Sequence, residues 1–586
     1  MMLPPAVPVS LILDHPEGRG VLAAYLPGLL DSPHLGLVRD IPLGDFLDRP
    51  EIGLPDTTKA QLWAELHALD DAGLHVEPPS EEVFEPDPGY EGTNVAIGSA
   101  RADFPLEATR WSVFEIELHG PEHGNPFIDV ELVGRFENGE AGVEVGGFYD
   151  GDGVYRIRFL PWLEGRWTFR TTSTARSLDG ISGSFECGPA LAASHGPVGV
   201  ADGFHFAHAD GTRYLPVGTT AYAWTHQEEE LEEQTLRTLA GSPFNKVRMC
   251  VFPKSFLYNE NDPRLFPFEG KPFAWDTTRF DPEFFRHLEQ RVRDLDALGI
   301  QADLILFHPY DRWGFSSLGR AGDDRFVRYV VRRLAAFPNV WWSMANEYDL
   351  VRSKSTADWE RLATIVGEND HVGHLRSIHN FQEFYDHSRP WITHCSLQRV
   401  DRYRTAENTT EWRWEWSKPI VIDECGYEGD LEQTWGNLTG EELVRRAWEG
   451  TLRGGYVAHG ETYGNDRDEL WWSKGGVLVG SSPKRLEFLA RFVAESPTGK
   501  LDPVDLGNVS RDFTWGGVAG VYYLGYLGLG QPRFCTIDLP EGEFSIDVID
   551  TWDMTIERAP GVSSGTVRVA LPVRPCMAIR LIRVDG

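Results

Sequence analysis

Residues 301–347 read QADLILFHPYDRWGFSSLGRAGDDRFVRYVVRRLAAFPNVWWSMANE. The stretch opens on an apolar run of strand length. A segment then carries its apolar residues at helical period and is closed by Pro338, and a second apolar run follows. Strands that are apolar on both faces and separated by a helix are the pattern of a parallel β/α architecture. Outward from this unit the same alternation recurs. The strands are YLPVGTTAY near 214, NKVRMCVF near 245, QADLILFH near 301, VWWSMANE near 340, LRSIHN near 375, PWITHCSL near 390, PIVIDECGY near 419 and GGYVAHGETY near 454. A further helix is PEFFRHLEQRVRDLDALG, after Asp281. Eight such units in about 300 residues match the size of a (β/α)8 TIM barrel.

On either side the pattern changes. Residues 1–88 read as a small helical module, with Val21, Leu22, Tyr25, Leu26, Leu29 and Leu30 at three-to-four spacing and TKAQLWAELHAL repeating that period. Residues 89–195 turn to strict alternation in RWSVFEIELHG, PFIDVELVGRF and VYRIRFL, broken by turn signals such as DGDG, which predicts a β-sandwich. The barrel is assigned 196–497. Alternation returns over 498–586, in VAGVYYLGYLG, FSIDVIDTW and GTVRVALPV, predicting a second β-sandwich. The fold class is therefore multidomain α/β, a central barrel with flanking β-sandwich domains and a helical N-terminal module. No solenoid repeat and no low-complexity tract is visible.

With 586 residues, 41% hydrophobic and 25% charged, the chain has the composition of a globular protein. There is no apolar run of about 18 residues to span a membrane and no basic, apolar leader, so a cytoplasmic protein is expected. A net charge of −34 argues against nucleic acid and anionic lipid as partners and favours a neutral substrate. Cys187, Cys250, Cys395, Cys425, Cys535 and Cys576 lie far apart with no CxxC spacing, and free thiols are expected. Twenty Trp and eighteen Tyr suit sugar-ring faces as well as core packing.

In such barrels the reacting groups stand at the C-terminal ends of the strands. The fourth strand delivers Asn346-Glu347 and the seventh delivers Glu424, carboxylates that follow apolar runs and whose burial calls for an explanation. Retaining glycoside hydrolysis supplies one: one carboxyl is protonated to release the leaving group and one is ionised to attack the anomeric carbon, the two carboxyl groups standing about 5–5.5 Å apart. Glu347 is expected to take the raised pKa, and Arg248, at the end of the second strand, is a candidate to keep Glu424 ionised.

These residues resemble the signature of clan A, the retaining glycosidases built on this barrel. More closely, HPYDRWGF, WWSMANEYD, DECGYEGD and GGYVAHGETY, with the flanking β domains, resemble a bacterial family of largely uncharacterised glycosidases. The resemblance spans nearly the whole chain. It implies Glu347 as acid/base, Asn346 as the residue that hydrogen-bonds the sugar 2-hydroxyl, and Glu424 as nucleophile in a double displacement. Where the clan often has Pro after the acid/base, this chain has Tyr348.

His308, His379, His394 and His459 also fall at strand ends, as hydrogen bonders to sugar hydroxyls or orienters of the carboxylates. Glu461 is placed to accept from substrate hydroxyls. Tyr310, Trp224 and Trp472 are candidate sugar-binding aromatics, with core packing the alternative for the two Trp. Cys425, directly after Glu424, reads as packing. No strand ends in HxH or HExxH, so neither a cofactor nor a metal is expected. A metal-dependent barrel hydrolase and a non-catalytic carbohydrate-binding protein remain the alternatives. The aromatic, proline-rich loop FPKSFLYNENDPRLFPFEGKPFAWDTTRFD after the second strand would close one side of a cleft. Exo-action on short oligosaccharides or glycosides of plant or microbial origin follows as the expectation. The helical and β modules offer surface for a homo-oligomer.

Overall fold

The computed structural model describes residues 7–30, 38–39, 41–49, 52–69, 82–139, 141–399, 401, 404–506 and 513–585. The chain divides into two compact units. One comprises 1–197, 250–294 and 304–374, and the other 198–249, 295–303 and 375–586.

In the first unit, helices Val9–Asp14, Pro16–Tyr25, Leu43–Leu47 and Asp56–His67 gather around Val9, Ile12, Leu22, Leu43, Leu62 and Leu66. The predicted periodicity is right in its buried face. The second helix stops at Tyr25, and Leu29 and Leu30 pack on the same cluster from beyond its end. Next come two β-sheets, one with strands Arg101–Asp103, Phe114–His119, Val154–Phe159 and Phe148–Tyr149, the other with Glu107–Thr109, Ser182–Gly188, Gly165–Ser173, Leu132–Asn138 and Ala141–Gly146. Their alternating inner residues, including Phe114, Ile116, Phe136, Ile157, Trp167 and Phe185, form one core.

The third strand of the β/α region, Gln301–Phe307, and the fourth, Val340–Ala345, are buried along their whole length, and the Asn346 N–H donates to the Phe307 carbonyl at 2.9 Å. Helices Pro282–Ala297 and Gly319–Leu334 fall where the sequence placed them. Helix Thr356–Asn369 starts at a capping box between Ser355 and Asp358, which satisfies two otherwise orphaned backbone donors.

These helices are tied to the β-sheets by a buried ionic network. Glu289 receives Arg158 at 2.7 and 2.9 Å and Arg333 at 2.5 Å, and Arg333 also reaches Asp150 at 2.8 Å. Burial works to raise the Glu289 pKa, yet the two guanidinium groups bring it from 4.5 down to about 2. A carboxylate with a depressed folded pKa stabilises above its unfolded pKa and loses that contribution as pH falls through the folded value. Acid unfolding is therefore expected to steepen between about pH 4.5 and pH 2. Glu289→Gln leaves two buried guanidinium groups under-neutralised and should cost about 3–5 kcal/mol, read as a lower thermal midpoint at pH 7 that largely converges with wild type near pH 2. Equal midpoints at pH 7 would refute the network's role.

In the second unit six parallel strands follow one another. Strand Cys395–Gln398 pairs with Ile420–Glu424, which pairs with Tyr456–Val457. The last is continued by a parallel bridge from His459 to Thr219, in strand Gly218–Thr220, and that strand pairs with Lys246–Cys250. On the other side a parallel bridge joins Ser396 to His379, just after the short strand Arg376–Ser377. All eight predicted strands are thus present. The C-terminal region forms a six-stranded antiparallel sheet from Asp502–Pro503 through Met577–Arg583, with a separate pair, Phe534–Asp538 and Thr566–Ala570, around a core that includes Trp515, Phe544, Ile546, Ile579 and Leu581. All six cysteines are free. Among the described residues no helix is long and apolar enough to cross a membrane.

Candidate active site

Glu347 follows the fourth strand and is buried. Its backbone sits at φ +51°, a left-handed conformation that is uncommon for residues other than glycine, and it caps the single-turn helix Tyr348–Leu350. Such backbone held at the end of a core strand is a feature of functional sites. The Tyr310 phenol donates to Glu347 Oε2. Tyr310 is itself positioned by the Ser255 N–H on its carbonyl, by Phe256 at 4.7 Å between ring centroids, and by the Lys254 ammonium 4.4 Å from its ring. Asn346 is buried beside Glu347, and His308 Nε2 lies 3.2 Å from the Phe252 carbonyl.

Glu424 ends the seventh strand in a different setting. Arg248 Nη1 donates to Glu424 Oε1 at 3.0 Å and to the Tyr222 oxygen at 2.9 Å, while the Tyr222 phenol donates to the same carboxylate oxygen. His379 Nε2 stands 3.8 Å from Oε1. Burial and the neighbouring Arg248 push the His379 pKa well below its ordinary value, so that imidazole is neutral. The Trp472 ring meets Tyr222 edge-on at 5.7 Å, and the Trp472 carbonyl accepts the Tyr222 N–H.

Beneath these groups lies a charge cluster the sequence reading missed. Lys246 Nζ is 2.6 Å from Asp303 Oδ2 and 2.9 Å from Asp423 Oδ1, and Asp423 also accepts the Ser396 hydroxyl at 2.6 Å. Burial opposes ionisation of Asp423, but Lys246 and Arg248 overcome it and hold the carboxyl well below the usual range. The available signal was a charged residue inside each apolar run, in NKVRMC, QADLIL and VIDE.

Four expectations change. Trp224 is completely buried and its indole N–H points to Met249 Sδ at 3.4 Å, so it packs in the core. His394 precedes its strand, Cys395–Gln398, and so stands at the N-terminal end, packed edge-on against Phe206 and held neutral by burial with a pKa of about 3. Glu461 turns its oxygens to the Val479 and Gly480 N–H groups, at 2.7 and 2.9 Å, rather than outward to substrate. His459 bonds Thr219 Oγ1 at 2.9 Å and stacks on Phe244. Strand ends could be read from periodicity, but the facing of each side chain depends on register with strands distant in sequence.

A multidomain α/β protein with hydrogen-bonded carboxylates at the ends of apolar strands has the construction of a glycoside hydrolase. The family model "Apiosidase-like, catalytic domain" matches residues 201–477. Domains of unknown function match on either side, DUF5060 at 107–174 and DUF5605 at 512–582. A crystal structure of a Bacteroides vulgatus ATCC 8482 protein assigned to the glycoside hydrolases is 38% identical, with 82% of this chain and 100% of that chain covered and a TM-score of 0.78. The chain belongs to the same glycoside hydrolase family as that protein. A glycoside hydrolase family 5 structure from the same organism, 15% identical with a TM-score of 0.51 over 66% of this chain and 93% of that one, shares the fold. No curated protein matches.

Proposed function

We propose that the chain is a retaining glycosidase of clan A on a (β/α)8 barrel spanning 196–497, flanked in sequence by the helical module 1–88 and the β-sandwiches 89–195 and 498–586. Glu424 attacks the anomeric carbon, and Glu347 protonates the leaving oxygen and then deprotonates the incoming water. The observation that carries this reading is the pair of donors, Arg248 and Tyr222, on one oxygen of Glu424. A guanidinium and a phenol on a carboxylate favour its ionised form, which the nucleophile requires. Glu347, which accepts the Tyr310 phenol on Oε2, takes the proton-donor role from its place at the end of the fourth strand. Asn346, His308, His379, Tyr310 and Trp472 are the candidate substrate contacts.

The substrate is a short oligosaccharide or glycoside of plant or microbial origin, cleaved from its end in the cytoplasm. The family model's description makes a terminal apiosyl residue the first glycoside to test. The test is hydrolysis of aryl apiosides and a panel of other glycosides, with the product anomer followed by NMR, with and without a chelator. Retention of configuration is expected, and no loss of initial rate on brief chelation well below the melting transition; inversion would sink the double displacement.

Tyr222→Phe removes one donor to the ionised nucleophile. A hydrogen bond to a charged group contributes about 1.5–3 kcal/mol, so kcat/KM should fall roughly 10- to 100-fold. Because the phenol orients the carboxylate oxygen that attacks, the loss should fall mainly on kcat rather than on KM. An unchanged kcat would assign Tyr222 to packing alone.

A further inference from the structure

Strands Glu428–Gly429 and Glu461–Thr462 pair in parallel with Glu428 opposite Glu461, so two carboxylates lie side by side, each 1% exposed. Neither meets a Lys or Arg among the described contacts. Glu428 accepts from the N–H and hydroxyl of Ser481 and the N–H of Ser482, and Glu461 from the N–H groups of Val479 and Gly480. These donors are neutral, so the two adjacent buried carboxyl groups have no cation against them among the described contacts.

A third group is aimed at the same place. His459 is completely buried, its Nδ1 is 2.9 Å from Thr219 Oγ1, and among the described residues its Nε2 has no hydrogen-bond partner. Nε2 is 3.9 Å from Glu461 Oε2, too far for a hydrogen bond, and one ligand atom from each of Glu428, His459 and Glu461 lies within 4.8 Å of the others. In the tautomer that donates Nδ1–H to Thr219, the Nε2 lone pair faces the carboxylates, the orientation in which an imidazole binds a metal while its other nitrogen is held by an outer partner. Thr219 is fixed in turn by the Trp471 indole N–H at 2.9 Å. A Cβ on Gly480 would lie 2.5 Å from Glu461 Oε2 and 2.7 Å from Glu428 Oε2, so glycine keeps the approach to both oxygens clear.

We propose that Glu428, His459 and Glu461 bind one divalent transition-metal ion of the zinc class. One imidazole and two carboxylates form a donor set that suits zinc, and the ion supplies the missing positive charge. It would tie the segment 479–482, through the carboxylates it already bonds, to the strand ends. The role is structural, separate from the chemistry proposed for Glu347 and Glu424.

The test is metal uptake by the full-length, chelator-treated protein, followed by calorimetric titration with Zn²⁺ or Ca²⁺ and by thermal melting, with no turnover required. One equivalent of Zn²⁺ with a raised melting midpoint is expected. Glu461→Gln and His459→Gln should weaken uptake by more than the ~10–100-fold that loss of an outer hydrogen-bond partner costs. If those variants do not fold, Thr219→Val, which removes the partner of His459 Nδ1, should weaken uptake within that range. Absence of saturable Zn²⁺ uptake, unchanged affinity in the folded variants, or a preference for Ca²⁺ would overturn the proposal.

Discussion

Glu424→Ala is expected to abolish turnover, with kcat/KM falling on the order of 10⁴- to 10⁶-fold, the scale on which removal of a nucleophile acts. The proposed nucleophile forms the covalent bond to the sugar, and its Oε1 is held by Arg248 and Tyr222. The variant should fold, because Arg248 keeps Tyr222 as a hydrogen-bond acceptor at 2.9 Å. It should accumulate no glycosyl-enzyme by intact mass, whereas wild type labelled with a slowly hydrolysed fluoroglycoside gains one sugar mass on the peptide containing Glu424. A label on any other peptide, or activity within tenfold of wild type, would end the assignment.

Glu347→Ala should lower kcat by about 10²–10⁴-fold on glycosides with poor leaving groups, the range that general acid catalysis contributes. With an aryl leaving group that departs without a proton, the first step survives and only the second slows, because the same residue later serves as base. A burst of released phenol followed by a slow steady state is expected, and azide should accelerate that steady state by replacing the water that needs deprotonation. Equal losses on both kinds of leaving group would place Glu347 among the binding residues instead. The Tyr310→Phe variant is a useful companion, since it removes the phenol bonded to Glu347 Oε2 while leaving the carboxyl in place.

The glycoside hydrolase assignment was legible in the sequence because it rests on local patterns. Period-two alternation marked the flanking strands, apolar runs separated by helix-length segments marked the β/α region, and carboxylates directly after VWWSMAN and VID marked the strand ends. Arg248 is singled out by its position at the end of the second strand, and it meets Glu424 at 3.0 Å. Each of these inferences needs only the neighbours in sequence, since a strand's burial and the place where it stops are encoded within a few residues.

What only the tertiary structure decided is where side chains converge. Tyr222 reaches Glu424 from 202 positions away, and Lys246 joins Asp303 to Asp423 across three strands. His394 lies at the start of its strand and Trp224 in the core, although both sit near strand ends in sequence. Glu461 and His459 stand at strand ends in sequence, whereas Glu428, which faces Glu461 across a strand pair, carries no signal of its own. Periodicity sets which face of a strand is buried. The register between strands, and the packing that fixes it, determines which buried groups meet, and that information is shared among segments tens to hundreds of residues apart.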